Sequence, residues 1–212
     1  TEYNVGMMKN DESKIVFDLN LHTARLLQSE PFFASLSRRV NKSASNLIPT
    51  AGVRVNPDNA QFEMLYNHEF FAKWKDDQCT DVLKHEFYHL IFEHVTGRKP
   101  DDVAPKIWNF ATDLAINSHL ENLPRGAMKP GVGPIEDFEA GLSAEVYLKK
   151  LEKMQQDNKK NGEDGKGEKG EKGEKGKGDD DGLPGDGQFD SHDDWGKNPV
   201  ASEMAHERMK KY

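Results

Sequence analysis

His85-Glu86-Phe87-Tyr88-His89 is the stretch around which the whole chain is read. On a helix, two histidines four residues apart sit about 40° apart around the axis, so both imidazoles can reach one metal ion while Glu86 projects beside it. The pattern predicts peptide hydrolysis at a zinc site, with His85 and His89 as Zn²⁺ ligands. Glu86 is the expected general base, taking a proton from water and returning it to the leaving amine. The flanking residues predict a helix from Thr80 to Thr96. Thr80 is read as its cap, Asp81 lies in its first turn, and Gly97 and Pro100 close it, with Arg98 and Lys99 at the negative end of the dipole. Leu83, Phe87, Leu90 and Ile91 gather opposite the two histidines, so one face is expected in a core and the other at a cleft.

A catalytic zinc usually takes three protein ligands. His94 falls about 180° around a continuous helix from His85, which predicts a packed or hydrogen-bonded histidine rather than a ligand. The next helix, expected from Lys106 to about Glu121, offers a better candidate. There Asn109, Asp113 and Asn117 recur at one-turn intervals as a polar stripe on an otherwise mostly apolar helix. A buried carboxylate in such a stripe needs a cation or hydrogen-bond donors. Asp113 is therefore the expected third ligand, with Asn117 positioned to orient a ligand from behind and His119 in reserve.

These residues also carry a family resemblance. His85-Glu86-Phe87-Tyr88-His89-Leu90 with His94 and Arg98, then Trp108-Asn109-x-Ala111-x-Asp113-x-x-Ile116-Asn117, then Leu123-Pro124 and Ser143-Ala144-Glu145-x-Tyr147, resemble a family of metallopeptidase-like domains. Such domains usually precede a von Willebrand factor A-like domain, often in systems with a MoxR-type AAA+ ATPase. The similarity runs from Phe32 to Lys150, with a weaker Asp190-x-His192-x-x-Trp195 segment. It implies a zincin-like fold of α+β class, His85 and His89 as ligands, Glu86 as base and Asp113 as third ligand. It also implies an A-like domain and a MoxR-type ATPase as partners. No Asp-x-Ser-x-Ser metal-adhesion motif occurs in the sequence.

Composition narrows the classes. The 212 residues suit one domain plus tails, and the hydrophobic fraction of 35% is low because one region is nearly all Gly, Lys, Glu and Asp. A net charge of −8 argues against nucleic acid as the main partner. The single cysteine, Cys79, excludes an internal disulfide framework and fits a reducing compartment. The polar N-terminus has no signal-peptide core and the longest apolar run is far short of a membrane span, so a cytoplasmic location and no membrane partner are expected. The expected partner is a protein or peptide substrate. A non-catalytic metal-binding module, serving as an adaptor, is the rival class.

Three regions are expected: a metallopeptidase domain over 1–157, a disordered linker over 158–187, and a C-terminal segment over 188–212. Lys14 to Val40 reads mainly as helix, with Leu19, Ala24, Leu26, Leu27, Phe32, Phe33 and Leu36 available for burial and Pro31 marking a break. Thr50 to Val55 and Gln61 to Tyr66 read as a hairpin around Asn56-Pro57-Asp58-Asn59, whose sheet edge could take an extended substrate as an added strand. Tyr66 or His68 could lie near that edge as an oxyanion donor, although a core aromatic and a surface histidine are the commoner outcomes. Leu123 to Phe138 is expected as a long loop lining the cleft. Ser143 then caps a helix to about Asp157, with Leu142, Val146, Leu148 and Leu151 as its apolar contacts. The Gly-Glu-Lys triplets that follow cannot offset the entropy of ordering them. Beyond them His192 is a weak metal candidate, Trp195 a docking residue, and Asn198-Pro199 a helix start.

Overall fold

The computed structural model describes residues 17–163 and 199–210. The fold is α+β, a small sheet packed among helices. Two short helices open it, α1 (Leu19–Ser29) and α2 (Phe33–Ser37), followed by β1 (Val40–Ala44), β2 (Ala51–Val55) and β3 (Phe62–Tyr66). After them come α3 (His68–Phe71), α4 (Asp76–Ile91), α5 (Pro105–Asn117), α6 (Ala144–Glu163) and α7 (Pro199–Lys210).

The expected hairpin is present as β2 and β3, antiparallel with Val53 opposite Met64. Its turn is fastened by Asn56, whose Oδ1 accepts the Asp58 amide at 2.8 Å and whose carbonyl accepts the Ala60 amide at 2.9 Å. A third strand, β1, pairs parallel to β3 with Val40 opposite Phe62, giving the order β1-β3-β2. The reading of Lys14 to Val40 as mainly helix holds over its described residues, with α1 and α2 on either side of Pro31, and β1, which begins at Val40, is an element that reading does not include. The helical part ends at Ser37, and Val-Asn-Lys-Ser-Ala carries too little alternation to announce a strand: only Val40 is buried. Because β3 is the middle strand, Tyr66 does not line a sheet edge. Its ring lies 6.2 Å from that of Phe17, 6.3 Å from Phe71 and 5.1 Å from His68, in an aromatic cluster.

The core forms where α1, α2, the sheet and α4 meet. Phe33, Phe87, Leu83, Val53 and Met64 are all 0–1% exposed, and Phe33 stacks on Phe87 at 5.7 Å between centroids. Burying a side chain of this size contributes about 1.5–3 kcal/mol, so Phe87→Ala would remove one of the main contacts under α4. Helix α6 packs on α5 through Tyr147, Leu148 and Leu151. Val146, expected there as a core contact, is 40% exposed; the fully buried Tyr147 takes that role, donating its hydroxyl to the Glu139 carbonyl at 2.7 Å. Helix α6 continues to Glu163, so the first six residues of the 158–187 segment are helical. The rest of that segment, together with His192 and Trp195, lies outside the described residues. Helix α7 opens at Pro199, as the Asn-Pro signal predicts.

Among the described residues no helix is long and apolar enough to cross a membrane.

Candidate metal centre

Helix α4 starts four residues earlier than the sequence suggests. Lys75 is its N-cap, the Gln78 side chain accepts the Lys75 amide at 3.1 Å, and Asp76 and Asp77 face the positive end of the dipole. Thr80, the expected cap, sits inside the helix with its hydroxyl on the Asp76 carbonyl at 2.9 Å. Asp81 is buried and accepts the Asn122 amide at 2.7 Å, tying the first half of α4 to the chain just past α5. With His85 beside Asn117 and His94 beside Trp108, the two helices run antiparallel, and the polar face of α4 lies against the polar stripe of α5.

That packing brings His85, His89 and Asp113 together, with one ligand atom from each within 4.8 Å of the others. The His85 Nε2 and His89 Nε2 atoms are 2.8 Å apart, and Asp113 Oδ1 lies 3.8 Å from the first and 3.4 Å from the second. A four-coordinate ion with bonds of about 2.0–2.1 Å places its ligands about 3.3 Å apart, the middle of this range. His119, the reserve ligand, is exposed two residues beyond Asn117, past the end of α5, and is not part of this group.

The hydrogen bonds behind the imidazoles fit a cation. Asn117 Nδ2 donates to the Met128 carbonyl at 2.9 Å, which turns its Oδ1 toward His85 Nδ1 at 2.8 Å. His85 must therefore carry its proton on Nδ1 to donate there, and in the neutral ring Nε2 is a bare lone pair. That lone pair faces His89 Nε2 at 2.8 Å and requires a proton or a metal ion between them. Two imidazole nitrogens and a carboxylate oxygen are a donor set that holds first-row divalent ions. The loop from Leu123 to Phe138 thus acts on the site through the Met128 carbonyl behind Asn117.

His94 enters in a way the helical wheel does not anticipate. Helix α4 ends at Ile91, not Thr96, and Glu93 adopts a left-handed conformation (φ 59°). The His94 amide then bonds the His89 carbonyl at 3.0 Å, and its ring folds back so that His94 Nδ1 lies 3.2 Å from His89 Nδ1. His94 is therefore a hydrogen-bonded histidine behind His89, outside the group that could hold a metal ion. Arg98 holds this turn, donating to the Phe92 carbonyl at 3.2 Å and from Nε to Glu145 at 3.0 Å. Trp108 Nε1 reaches the His94 carbonyl at 3.4 Å. His94, Arg98, Trp108 and Glu145 thus form one brace around the end of α4.

All the site side chains are enclosed: His89 is 0% exposed, Glu86 1%, Asp113 2% and His85 4%. The face of α4 expected at a cleft is covered by α5.

An α+β domain with paired histidines on one helix and an aspartate crossing from the next, close enough together to hold a metal ion, is a domain of metallopeptidase type. The chain belongs to the family described as "Putative metallopeptidase domain", whose pattern matches residues 17–211. An uncharacterized protein of Thermotoga maritima is 33% identical over 60 residues, 28% of this chain and 15% of that protein, so the match spans under a sixth of the relative's length. No solved structure matches the chain.

Proposed function

We propose that this domain is a zinc-dependent metallopeptidase of endopeptidase type, with His85, His89 and Asp113 as the Zn²⁺ ligands and Glu86 as general base. The observation that carries the reading is the convergence of His85, His89 and Asp113 with a carboxylate one residue from the first ligand. Two imidazoles and one carboxylate, leaving a fourth position for water, match the donor set of catalytic zinc. When bound there, the ion would polarise a peptide carbonyl and lower the pKa of water. Glu86 takes the proton of the attacking water and delivers it to the departing amine, so one carboxylate serves both halves of the reaction. Asn117 keeps His85 in the tautomer that presents Nε2, and His94 restrains His89 in the same manner.

The proposed partners are a protein or peptide substrate and, from the family resemblance, an A-like domain and a MoxR-type ATPase. A cytoplasmic setting belongs to the same proposal, supported by the lone buried cysteine.

A second reading is favoured by one observation. With Glu86 and His89 at 0–1% exposure, the ion could be structural and the domain an adaptor. Glu86→Gln separates the two. On the zinc-loaded full chain with an unfolded protein as substrate, the peptidase reading requires turnover in wild type and none in Glu86→Gln, with metal content unchanged. Equal cleavage by both proteins would remove Glu86 as the base. Metal binding without turnover in wild type, repeated with a supplied ATPase partner, would favour the adaptor.

A further inference from the structure

A cleft of about 470 Å³ opens where the end of α2, the start of β1, the start of β3 and helix α7 meet. Three arginines line it, Arg38, Arg39 and Arg208, and no carboxylate does among the described residues. In a chain of net charge −8 such a concentration of positive charge runs against the composition. Arg208 is held in place: its Nη1 donates to the carbonyls of Asn59 and Ala60 at 2.9 and 3.1 Å. The guanidinium is therefore oriented before any ligand arrives, which lowers the entropic cost of pairing. Helix α7 is seated beneath it by the fully buried Ala205 and by His206, whose Nδ1 is 3.5 Å from Glu93.

The rest of the lining has the chemistry of a peptide partner. Asn41 Nδ2 donates to Gln61 Oε1 at 2.8 Å, which leaves Asn41 Oδ1 as an acceptor and Gln61 Nε2 as a donor, the complement of one peptide unit. Asn41 lies on β1, which among the described residues is an edge strand paired only with β3, and Phe62 adds an apolar wall. A polyanion such as nucleic acid would meet the overall negative charge of the chain, whereas a short carboxylate-bearing segment meets only the local guanidinium groups. Arginine pairs with carboxylates through two parallel hydrogen bonds, a geometry lysine lacks.

We infer that the Arg38–Arg208 cleft is a binding site for acidic segments of polypeptide, separate from the metal centre. It stands whether or not the metal centre turns over. The probe is a fluorescein-labelled Glu-Gly-Glu-Gly-Glu peptide titrated with the full chain at low ionic strength, read by anisotropy. Saturable binding is expected that weakens as salt rises, falls tenfold or more in Arg38→Glu, and survives better in Arg208→Lys than in Arg208→Ala. Arg38 is exposed at the end of α2, so its reversal leaves α7 seated, and unchanged circular dichroism and zinc content would show that the fold is intact. A Lys-Gly-Lys-Gly-Lys peptide should not bind wild type. The site is refuted by absence of binding, or by binding that Arg38→Glu leaves untouched. It is equally refuted if an oligonucleotide of matched charge binds as tightly, or if inorganic phosphate displaces the peptide at equal charge concentration.

Discussion

The Nδ1 atoms of His89 and His94 lie 3.2 Å apart, although a continuous helix would put His94 on the opposite side from the metal. The left-handed turn at Glu93 makes the contact, and it converts a residue of the apolar face into a restraint on His89, a proposed ligand. His94→Ala should therefore weaken metal binding by about 10–100-fold without abolishing it, the usual cost of losing a group that orients a ligand. A competitive titration against a chromophoric chelator measures this. Unchanged affinity would mean that the contact does not orient His89.

The Arg98–Glu145 pair braces the same turn and carries a pH signature. Burial would raise the Glu145 carboxyl, but hydrogen bonds from Arg98, its own backbone amide and Ser143 outweigh it and hold the group below its ordinary value. A carboxyl depressed in the folded state stabilises the fold above its unfolded pKa and loses that contribution as pH falls through the folded one. The stability gap between wild type and Glu145→Gln should be largest at neutral pH and close in acid. Urea unfolding midpoints across the acid range test this; a gap independent of pH would contradict it.

Cys79 is 1% exposed at the start of α4, and burial pushes its thiol up to about 11. At pH 8 the reactive thiolate is scarce and shielded. A disulfide reagent should leave the native protein unmodified and titrate one thiol in denaturant. Rapid native modification would show that the start of α4 opens readily.

Asn109 opens the polar stripe of α5 at 4% exposure, and its Oδ1 has no hydrogen-bond partner among the described residues. A buried acceptor left unsatisfied costs about 1–3 kcal/mol, so Asn109→Leu should raise stability by about 1 kcal/mol in urea unfolding. A loss of that size would reveal that the carboxamide contributes packing or bonding that Leu cannot replace.

Much of the centre is legible in the sequence because helical periodicity is a local property. The spacing of His85 and His89 and the stripe Asn109, Asp113, Asn117 each follow from one helix alone, and the pairing of Asn117 with His85 follows once the stripe faces the histidines. What escapes is non-local or breaks the period. Glu93 carries a left-handed φ without being glycine, so Gly97 attracts the helix end that belongs at Ile91. Strand β1 exists through its pairing with β3, and its own residues alternate too weakly to declare it. The brace of Arg98 on Glu145 joins positions 47 residues apart, and no local pattern in either segment encodes it.

The central claim is a three-ligand metal centre formed by α4 and α5. Elemental analysis of wild type, His89→Ala and Asp113→Ala, each purified without added metal and then repleted with zinc, tests it most directly. About one zinc per folded chain in wild type, lost in both variants, is the predicted result. Folded wild type that takes up no zinc, or Asp113→Ala that retains it in full, would contradict the account.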